Sequence, residues 1–306
     1  MNNSDSDSGG AFGLSPVNSP AEPKTAGQKA AALKARLGKI LAASGVKAAE
    51  DADSPSHFGF GVNRVDAALR GNADQPGLPR AALHELHAAD KSDRSSAAAL
   101  ALLLAQRCRA LGSDRKPILW ISESGEARRQ GRLYPPGLAE LGIDPSGIIH
   151  VDAPDSIAVL RAAADGIRSP AMGAVIAELS GRKPRGLDLT ATRRLSLSAQ
   201  KSGVLGLLLR CGGDADNPLP TAAFSRWQVA AAPSVPLAAN APGHSVFDIS
   251  LLRHRSGLYG LSARLEWNRD DQVFREQQQS HERAPYPGAV PALSAGRADH
   301  PGTRAA

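Results

Sequence analysis

The 306-residue sequence is poor in cysteine, with Cys108 and Cys211 alone, and aromatic residues make up 4% of it. Two cysteines give neither a disulfide framework nor a metal-binding pattern, and both lie in apolar stretches that predict small buried side chains. No apolar run approaches the length of a membrane span. The opening residues, MNNSDSDSGG, lack the basic and apolar regions of an export signal. We therefore expect a cytoplasmic protein with no membrane segment and no metal.

Length and composition predict one large domain with tails. The hydrophobic fraction of 42% supports a sizeable core. The formal net charge is +6, which is compatible with a nucleic-acid partner. A mildly basic surface explains the same charge without such a partner.

The two ends of the chain differ in composition from the middle. Residues 1–23 and 271–306 are rich in polar residues, Pro, Ala and Gly, which predicts disorder. Residues 24–45 predict a basic amphipathic helix, followed by a linker over 46–57. Its apolar face is expected to pack on its own domain or to bind a partner protein. That face is formed by Leu33, Leu37, Ile40 and Leu41.

Residues 58–270 alternate apolar strands with helices. The segments PILWIS, GAVIAEL and VLGLLL are apolar throughout, which is typical of parallel strands covered on both faces. Beyond Gly213 the pattern changes to antiparallel, with a strand at Arg226–Ala231 and then a hairpin that turns near Ser256 and Gly257. We predict an α/β fold with a parallel core and a C-terminal antiparallel hairpin.

The stretch from Leu83 to Gly112 has the layout of a phosphate-binding loop, namely an apolar strand, a short polar loop and a long helix. The loop over 88–95 lacks the residues that phosphate binding needs. Ala88 and Asp93 replace both glycines, and Arg94 replaces the lysine, whereas Ser95 matches the pattern. A loop of phosphate-binding shape without glycines should carry backbone strain.

Asp93 is the residue that argues most strongly against a nucleotide. Its carboxylate would compete with a phosphate for the same N–H groups at the positive end of a helix. It acts as a built-in substitute for the anion, or as an ordinary N-cap. Either interpretation predicts a nucleotide-site architecture that has lost its nucleotide, and therefore no cofactor.

With these elements in order, the chain resembles RecA and, within that superfamily, the ImuA family. The resemblance covers roughly residues 58–267. It is carried by GLPRAALHEL before the loop, LGIDPSGIIHVDAPD, GAVIAEL, SRWQVAAAPS and the LEW of the last strand. It implies a RecA-like parallel-sheet core covered by helices on both faces.

The resemblance also implies a role. ImuA proteins act in the SOS response with ImuB and an error-prone DnaE-type polymerase in translesion synthesis, and they contact RecA. Because RecA uses an N-terminal helix to pack on its neighbours, residues 24–45 become the candidate for partner docking. We expect a non-catalytic interaction protein.

Two alternatives remain open. The first is a slow ATPase that remodels DNA or a RecA filament with ATP and Mg²⁺. In it, Glu123 would activate water and Glu178 would stand where the superfamily has its magnesium-linked Asp. The second is a module that binds single-stranded DNA through Arg182, Lys183 and Arg185, with Arg193 and Arg194 nearby. A solvent-exposed loop explains the three basic residues equally simply.

Overall fold

The computed structural model describes residues 56–70, 75–111, 116–212 and 219–277. The segment 1–23, the basic helix over 24–45, nearly all of the linker over 46–57 and the tail from residue 278 lie outside these ranges. What the sequence predicts for them stays a prediction.

The described chain alternates strands and helices as predicted. Its strands are β1 (His57–Phe58), β2 (Leu78–Pro79), β3 (Leu83–Ala88), β4 (Ile118–Glu123), β5 (Ile148–Ala153), β6 (Ala174–Ser180), β7 (Leu205–Cys211), β8 (Ser225–Ala231), β9 (Val246–His254), β10 (Ser262–Asn268) and β11 (Val273–Glu276). Its α-helices are α1 (Asn63–Leu69), α2 (Arg94–Ala110), α3 (Ser124–Gln130), α4 (Pro135–Glu140), α5 (Ser156–Arg168) and α6 (Leu189–Ser202). Short 3-10 turns occupy Lys91–Asp93, Pro145–Gly147 and Ala238–Asn240.

Strands β3 to β11 form one mixed sheet in the order β11-β10-β9-β8-β3-β7-β6-β4-β5. The strands from β8 to β5 are parallel, and β9, β10 and β11 continue the sheet in antiparallel pairing. The predicted α/β class, with a parallel core and C-terminal antiparallel strands, is confirmed.

Two expectations about the sheet are wrong. The sequence places β8 in the antiparallel part, whereas β8 pairs parallel with β3, and the direction changes between β8 and β9. The sequence also begins the disordered tail at residue 271. Instead, β11 pairs with β10, with Trp267 opposite Phe274, and the Phe274 side chain is buried.

Helices cover both faces of the parallel strands, as predicted. Helix α2 packs on one face, over β3, β6, β7 and β8, while α5 and α6 pack on the other. The core on the α2 face extends to the aromatic side chains of the antiparallel strands, including Phe247 and Trp267. The core on the second face contains Val159, Leu195 and Leu208.

Residues at the helix ends explain where α5 and α6 begin and stop. Asp155 and Asp188 occupy the N-cap positions, and their carboxylates accept the N–H groups of Ala158 and Ala191 at 2.8 and 2.7 Å. Gly203 ends α6 with a φ of 77°, a conformation that favours glycine.

Polar side chains are buried in the central strands. Glu85 of β3 and Arg226 of β8 lie on directly paired positions, and their Oε2 and Nε atoms are 2.7 Å apart. Burial alone would raise the pKa of Glu85, but interactions with His87 and Arg226 outweigh it and lower this pKa below its usual value. The pair therefore stays charged inside the sheet.

His84 is held as a neutral imidazole. Its Nε2 lies 2.9 Å from the carbonyl oxygen of Pro79, which can only accept, so Nε2 carries the proton. Its Nδ1 lies 2.7 Å from the hydroxyl of Ser225, which in turn accepts the indole N–H of Trp227. Burial lowers the pKa of His84 to about 4.

This histidine should make stability depend on pH. Between pH 6.5 and 4 the unfolded chain binds a proton at His84 and the folded chain does not, so the free energy of unfolding falls as the pH falls. We expect His84→Gln to remove this contribution, which is about 2 kcal/mol at pH 5. Urea unfolding of both proteins from pH 7 to pH 4.5 measures it. The exposed His244→Gln is the control, and parallel curves for wild type and His84→Gln would contradict the assignment.

Candidate functional site

The candidate loop connects β3 to α2 as the sequence predicts. Ala88 is the last residue of β3 and is buried, and Ala89 and Asp90 lead into the 3-10 turn Lys91–Asp93. Arg94 and Ser95 form the first turn of α2. The layout of strand, loop and helix is therefore present. Whether the loop could bind a phosphate depends on which of its polar groups lack partners within the protein.

The amide N–H groups of Ala89, Asp90, Ser92 and Asp93 have acceptors within the protein. Ala89 donates to the carbonyl of Val229 at 2.8 Å, and Asp93 donates to the carbonyl of Asp90 at 3.1 Å. The Asp90 carboxylate accepts the N–H of Ser92 at 2.9 Å. This last bond is the largest of the causes that lower the pKa of the Asp90 carboxyl. A phosphate would have to displace these hydrogen bonds.

The carboxylate of Asp93 accepts two further backbone N–H groups. It accepts the N–H of Asp90 at 3.1 Å and the N–H of Ala231, at the end of β8, at 2.8 Å. Although Asp93 stands at the N-cap position of α2, its side chain makes no capping hydrogen bond to that helix. Instead it forms a reciprocal capping box with Asp90 around the 3-10 turn.

The expected backbone strain is absent from the loop. Outside glycine, positive φ values in the described chain occur at Ala239 and Gln272, and so not between residues 88 and 95. The loop has adopted a 3-10 turn, whose torsions suit residues with side chains. The expectation of backbone strain is therefore wrong, because the loop forms a 3-10 turn, which does not require glycine.

Arg94 points toward β6 and pairs with Glu178. The Arg94 Nε donates to Glu178 Oε1 at 2.7 Å, and its Nη2 contacts the same oxygen. Both side chains are largely buried, at 13% and 7% exposure. The thiol of Cys211, at the end of β7, is 3.6 Å from the same oxygen. Arg94, the cation expected to bind a phosphate, therefore forms an ion pair with Glu178, the acid expected to bind Mg²⁺.

Glu123 ends β4 in an acidic environment. Burial, followed by the carboxylate of Glu126, raises its pKa, and Asp155 and Glu178 act in the same direction. The structure thus brings both ATPase candidates, Glu123 and Glu178, to the carboxyl end of the parallel strands. As arranged here, the set does not fit a Mg²⁺-nucleotide, because Glu178 is engaged by Arg94 and the amides of Ala89, Asp90, Ser92 and Asp93 have acceptors within the protein.

Two cavities flank the first turns of α2, and Ser95 and Ala99 line both. One, of about 280 Å³, extends past Trp120 toward Tyr134. The other, of about 370 Å³, lies beside the chain between β8 and β9 and includes His244. Both spaces adjoin the first turns of α2, where the alternative ATPase would hold its phosphates.

The sequence did not single out a polar group on the first cavity. Ser122 Oγ is 3.0 Å from His150 Nε2, and Asp152 Oδ1 is 3.7 Å from that same nitrogen. Asp152 also pairs with Arg132 at 2.6 Å. A nucleophile, base and orienting acid would use different ring nitrogens, so this is a hydrogen-bonded wall of the cavity. The sequence pattern that could have predicted this group is the alternation of side chains along a strand, which places His150 and Asp152 on the same face of β5.

The predicted basic residues lie together in the loop between β6 and α6. Arg182, Lys183 and Arg185 are exposed there. The loop backbone is anchored, because the carbonyl of Arg182 accepts from Arg210 at 3.2 Å and that of Arg185 from Ser156 at 3.0 Å. The structure leaves the DNA hypothesis as a prediction.

Comparison with known proteins identifies the family. No family model matches the chain. Protein ImuA from two strains of Caulobacter vibrioides is 33% identical over 186 residues, which cover 58% of this chain and 69% of the relative. The chain belongs to the ImuA family. A crystal structure of the RadB recombinase matches with a TM-score of 0.46 and 13% identity, over 72% of this chain and 100% of that one.

Two further findings concern the described part of this ImuA-family chain. In residues 56–70, 75–111, 116–212 and 219–277, no helix has the length and apolar character to span a membrane. Over the same ranges, His, Cys, Asp and Glu side chains do not gather in threes that could hold a metal ion. Cys108 and Cys211 are both buried and unbridged, as predicted.

The Arg94–Glu178 pair should be strongly coupled. Arg94→Met leaves a carboxylate buried without its cation, and we expect it to cost about 3 kcal/mol. The double variant Arg94→Met/Glu178→Leu should recover most of this loss, because no uncompensated charge remains. Urea unfolding of the four proteins in a double-mutant cycle measures the coupling.

The control cycle uses Arg168 and Asp165, an ion pair with exposures of 64% and 70%. It should show a coupling of at most about 1 kcal/mol. Equal couplings in the two cycles would mean that the Arg94–Glu178 pair is not formed in solution.

Proposed function

We propose that this chain is a non-catalytic, RecA-like interaction protein of the SOS response, acting with ImuB and an error-prone DnaE-type polymerase in translesion synthesis and induced mutagenesis. Membership of the ImuA family supports the general part of this proposal, a role in SOS mutagenesis in association with the mutagenesis machinery. The individual partners, ImuB, RecA and the polymerase, come from the family resemblance.

The observation that carries the non-catalytic part is the internal pairing of the loop. The N–H groups of Ala89, Asp90, Ser92 and Asp93 bind Asp90, Asp93 and backbone carbonyls, and so are not available to a phosphate while these bonds last. The guanidinium of Arg94 binds Glu178. Opening such a site means breaking a largely buried ion pair and a capping box before any ligand contact forms, which costs several kcal/mol.

A slow ATPase is the second candidate function, since Ser95, Glu123 and Glu178 all lie near the carboxyl ends of the strands. It requires the loop to leave the observed 3-10 turn and Arg94 to leave Glu178. Nucleotide binding therefore separates the two functions.

We expect the wild-type chain to give no saturable heat with ATP and Mg²⁺ in calorimetry, and no hydrolysis above background when single-stranded DNA is present. The variant Asp93→Gly/Glu178→Ala frees the amide of Asp90 and the guanidinium of Arg94, so it should give saturable ATP binding under conditions in which wild type gives none. The control Asp270→Gly/Glu140→Ala makes the same charge change at exposed positions. Magnesium-dependent turnover by the wild type that is lost in Arg94→Ala would establish the ATPase instead.

We also propose that the segment 24–45 docks on a partner through Leu33, Leu37, Ile40 and Leu41. The variant Leu37→Asp/Ile40→Asp places two charges on this apolar face and should weaken binding to ImuB or RecA at least about tenfold, because burying an unpaired carboxylate is costly. The control Ala31→Asp/Ala35→Asp places the same charges on the opposite face of the helix. Surface plasmon resonance with the purified full-length proteins measures both, and equal affinities would exclude the docking role.

A further inference from the structure

Helix α6 presents an outer face that combines leucines with unpaired cations. Leu189 and Leu197 are 50% and 49% exposed. They share this face with the exposed side chains of Arg193, Arg194 and Lys201. We call these five residues the α6 outer face.

The helix does not need these leucines for its own packing. Its opposite face already buries Thr192, Leu195, Ser196 and Ala199. Leu189 and Leu197 are two turns apart, about 12 Å along the helix axis, with Arg193 between them. Half-exposed leucines at this spacing form the kind of stripe into which the apolar residues of a second helix pack.

The cations of this face differ from several arginines elsewhere in the described chain, which are paired with carboxylates. Arg64, Arg94, Arg132, Arg226, Arg264 and Arg275 each pair with a carboxylate. Within the described residues, Arg193, Arg194 and Lys201 form no such ion pair. The carboxylate of Asp188, at the start of the helix, is bound to the N–H of Ala191. The five residues of the face therefore carry a formal charge of +3, with no carboxylate of the described residues in ion-pair contact with them.

The chemistry of the face selects its occupant. The guanidinium and ammonium groups are complementary to acidic side chains, and the leucines are complementary to apolar ones. The phosphates of a nucleic acid could pair with the cations but would offer no apolar group to the leucines. The amphipathic segment of this chain over 24–45 has apolar residues but carries Lys29, Lys34, Arg36 and Lys39, so it would be repelled. A segment of another protein with apolar and acidic residues satisfies both requirements.

We propose that the α6 outer face binds an acidic amphipathic helix of a partner protein, with apolar residues seven or eight positions apart in contact with Leu189 and Leu197 and carboxylates facing Arg193 and Arg194. This inference rests on the proposed function, since it supplies the surface through which an interaction protein would work. It is separate from the phosphate loop, because α6 covers the opposite face of the sheet from α2.

The test uses 20-residue peptides tiled across ImuB, RecA and the DnaE-type polymerase, with binding of the full-length chain measured by fluorescence anisotropy. We expect wild type to bind at least one tile with acidic and apolar residues at helical spacing. Leu189→Ser/Leu197→Ser and Arg193→Glu/Arg194→Glu should each weaken that binding at least about tenfold. The Leu variant should do so at high salt as well, since its effect is not electrostatic.

The controls match the variants in kind. Leu237→Ser removes a leucine that is 48% exposed elsewhere, and Arg70→Glu/Arg128→Glu makes the same charge change at other exposed positions. Both should bind the tile as wild type does. Thermal unfolding within about 2 °C of wild type shows that the exposed substitutions leave the fold intact.

The other outcomes overturn the inference in distinguishable ways. If the chain binds full-length ImuB or RecA but no acidic tile, or binds a tile equally after both substitutions, the surface is wrong and the proposed function stands. If no partner binds at all, the proposed function fails with it. If the Arg variant loses affinity for labelled single-stranded DNA while the Leu variant does not, and no tile binds, the occupant is nucleic acid.

Discussion

The ion pair between Arg94 and Glu178 determines which charged groups are available to a ligand at the carboxyl edge of the sheet. It joins the first residue of α2 to β6 across 84 positions of sequence, with both side chains largely removed from water. Two buried charges lose most of their hydration, and mutual neutralisation offsets that cost only while the pair remains intact. A triphosphate with its metal would need each partner separately. The pair would therefore have to separate before a nucleotide and its metal could bind at this edge.

The loop before α2 shows how such closure is reached without strain. Replacing glycine in a phosphate loop would be costly if the backbone kept its shape. Here the loop is a 3-10 turn that Asp90 and Asp93 cap reciprocally. The spacing of these two carboxylates resembles that of a capping box, with an N-cap residue and an acid three positions later. That local signal was present in the sequence, and it accounts for the carboxylates better than a comparison with missing glycines does.

Properties that each segment carries by itself could be predicted from the sequence. The apolar composition of β4, β6 and β7 predicted buried parallel strands, and Gly203 predicted the end of α6. Properties that depend on distant partners could not be predicted. The direction of β8 relative to the sheet depends on its parallel pairing with β3. Residues 273–276 form β11 because they pair with the exposed edge of β10. The contacts of Asp93 with Ala231, and of Arg94 with Glu178, likewise join residues that no local pattern connects.

Contacts within the chain hold this edge of the sheet together in the structure. Helix α2 is buried by its own apolar residues, among them Leu100 and Leu103, and its loop is hydrogen-bonded without phosphate. A protein that uses nucleotide gains stability from it by mass action and loses that stability when the nucleotide leaves. In this structure the corresponding groups are bound by the chain itself, through the Arg94–Glu178 pair and the Asp90–Asp93 capping box. Under the proposed function, surfaces that do not change with nucleotide suit a protein that brings other proteins together.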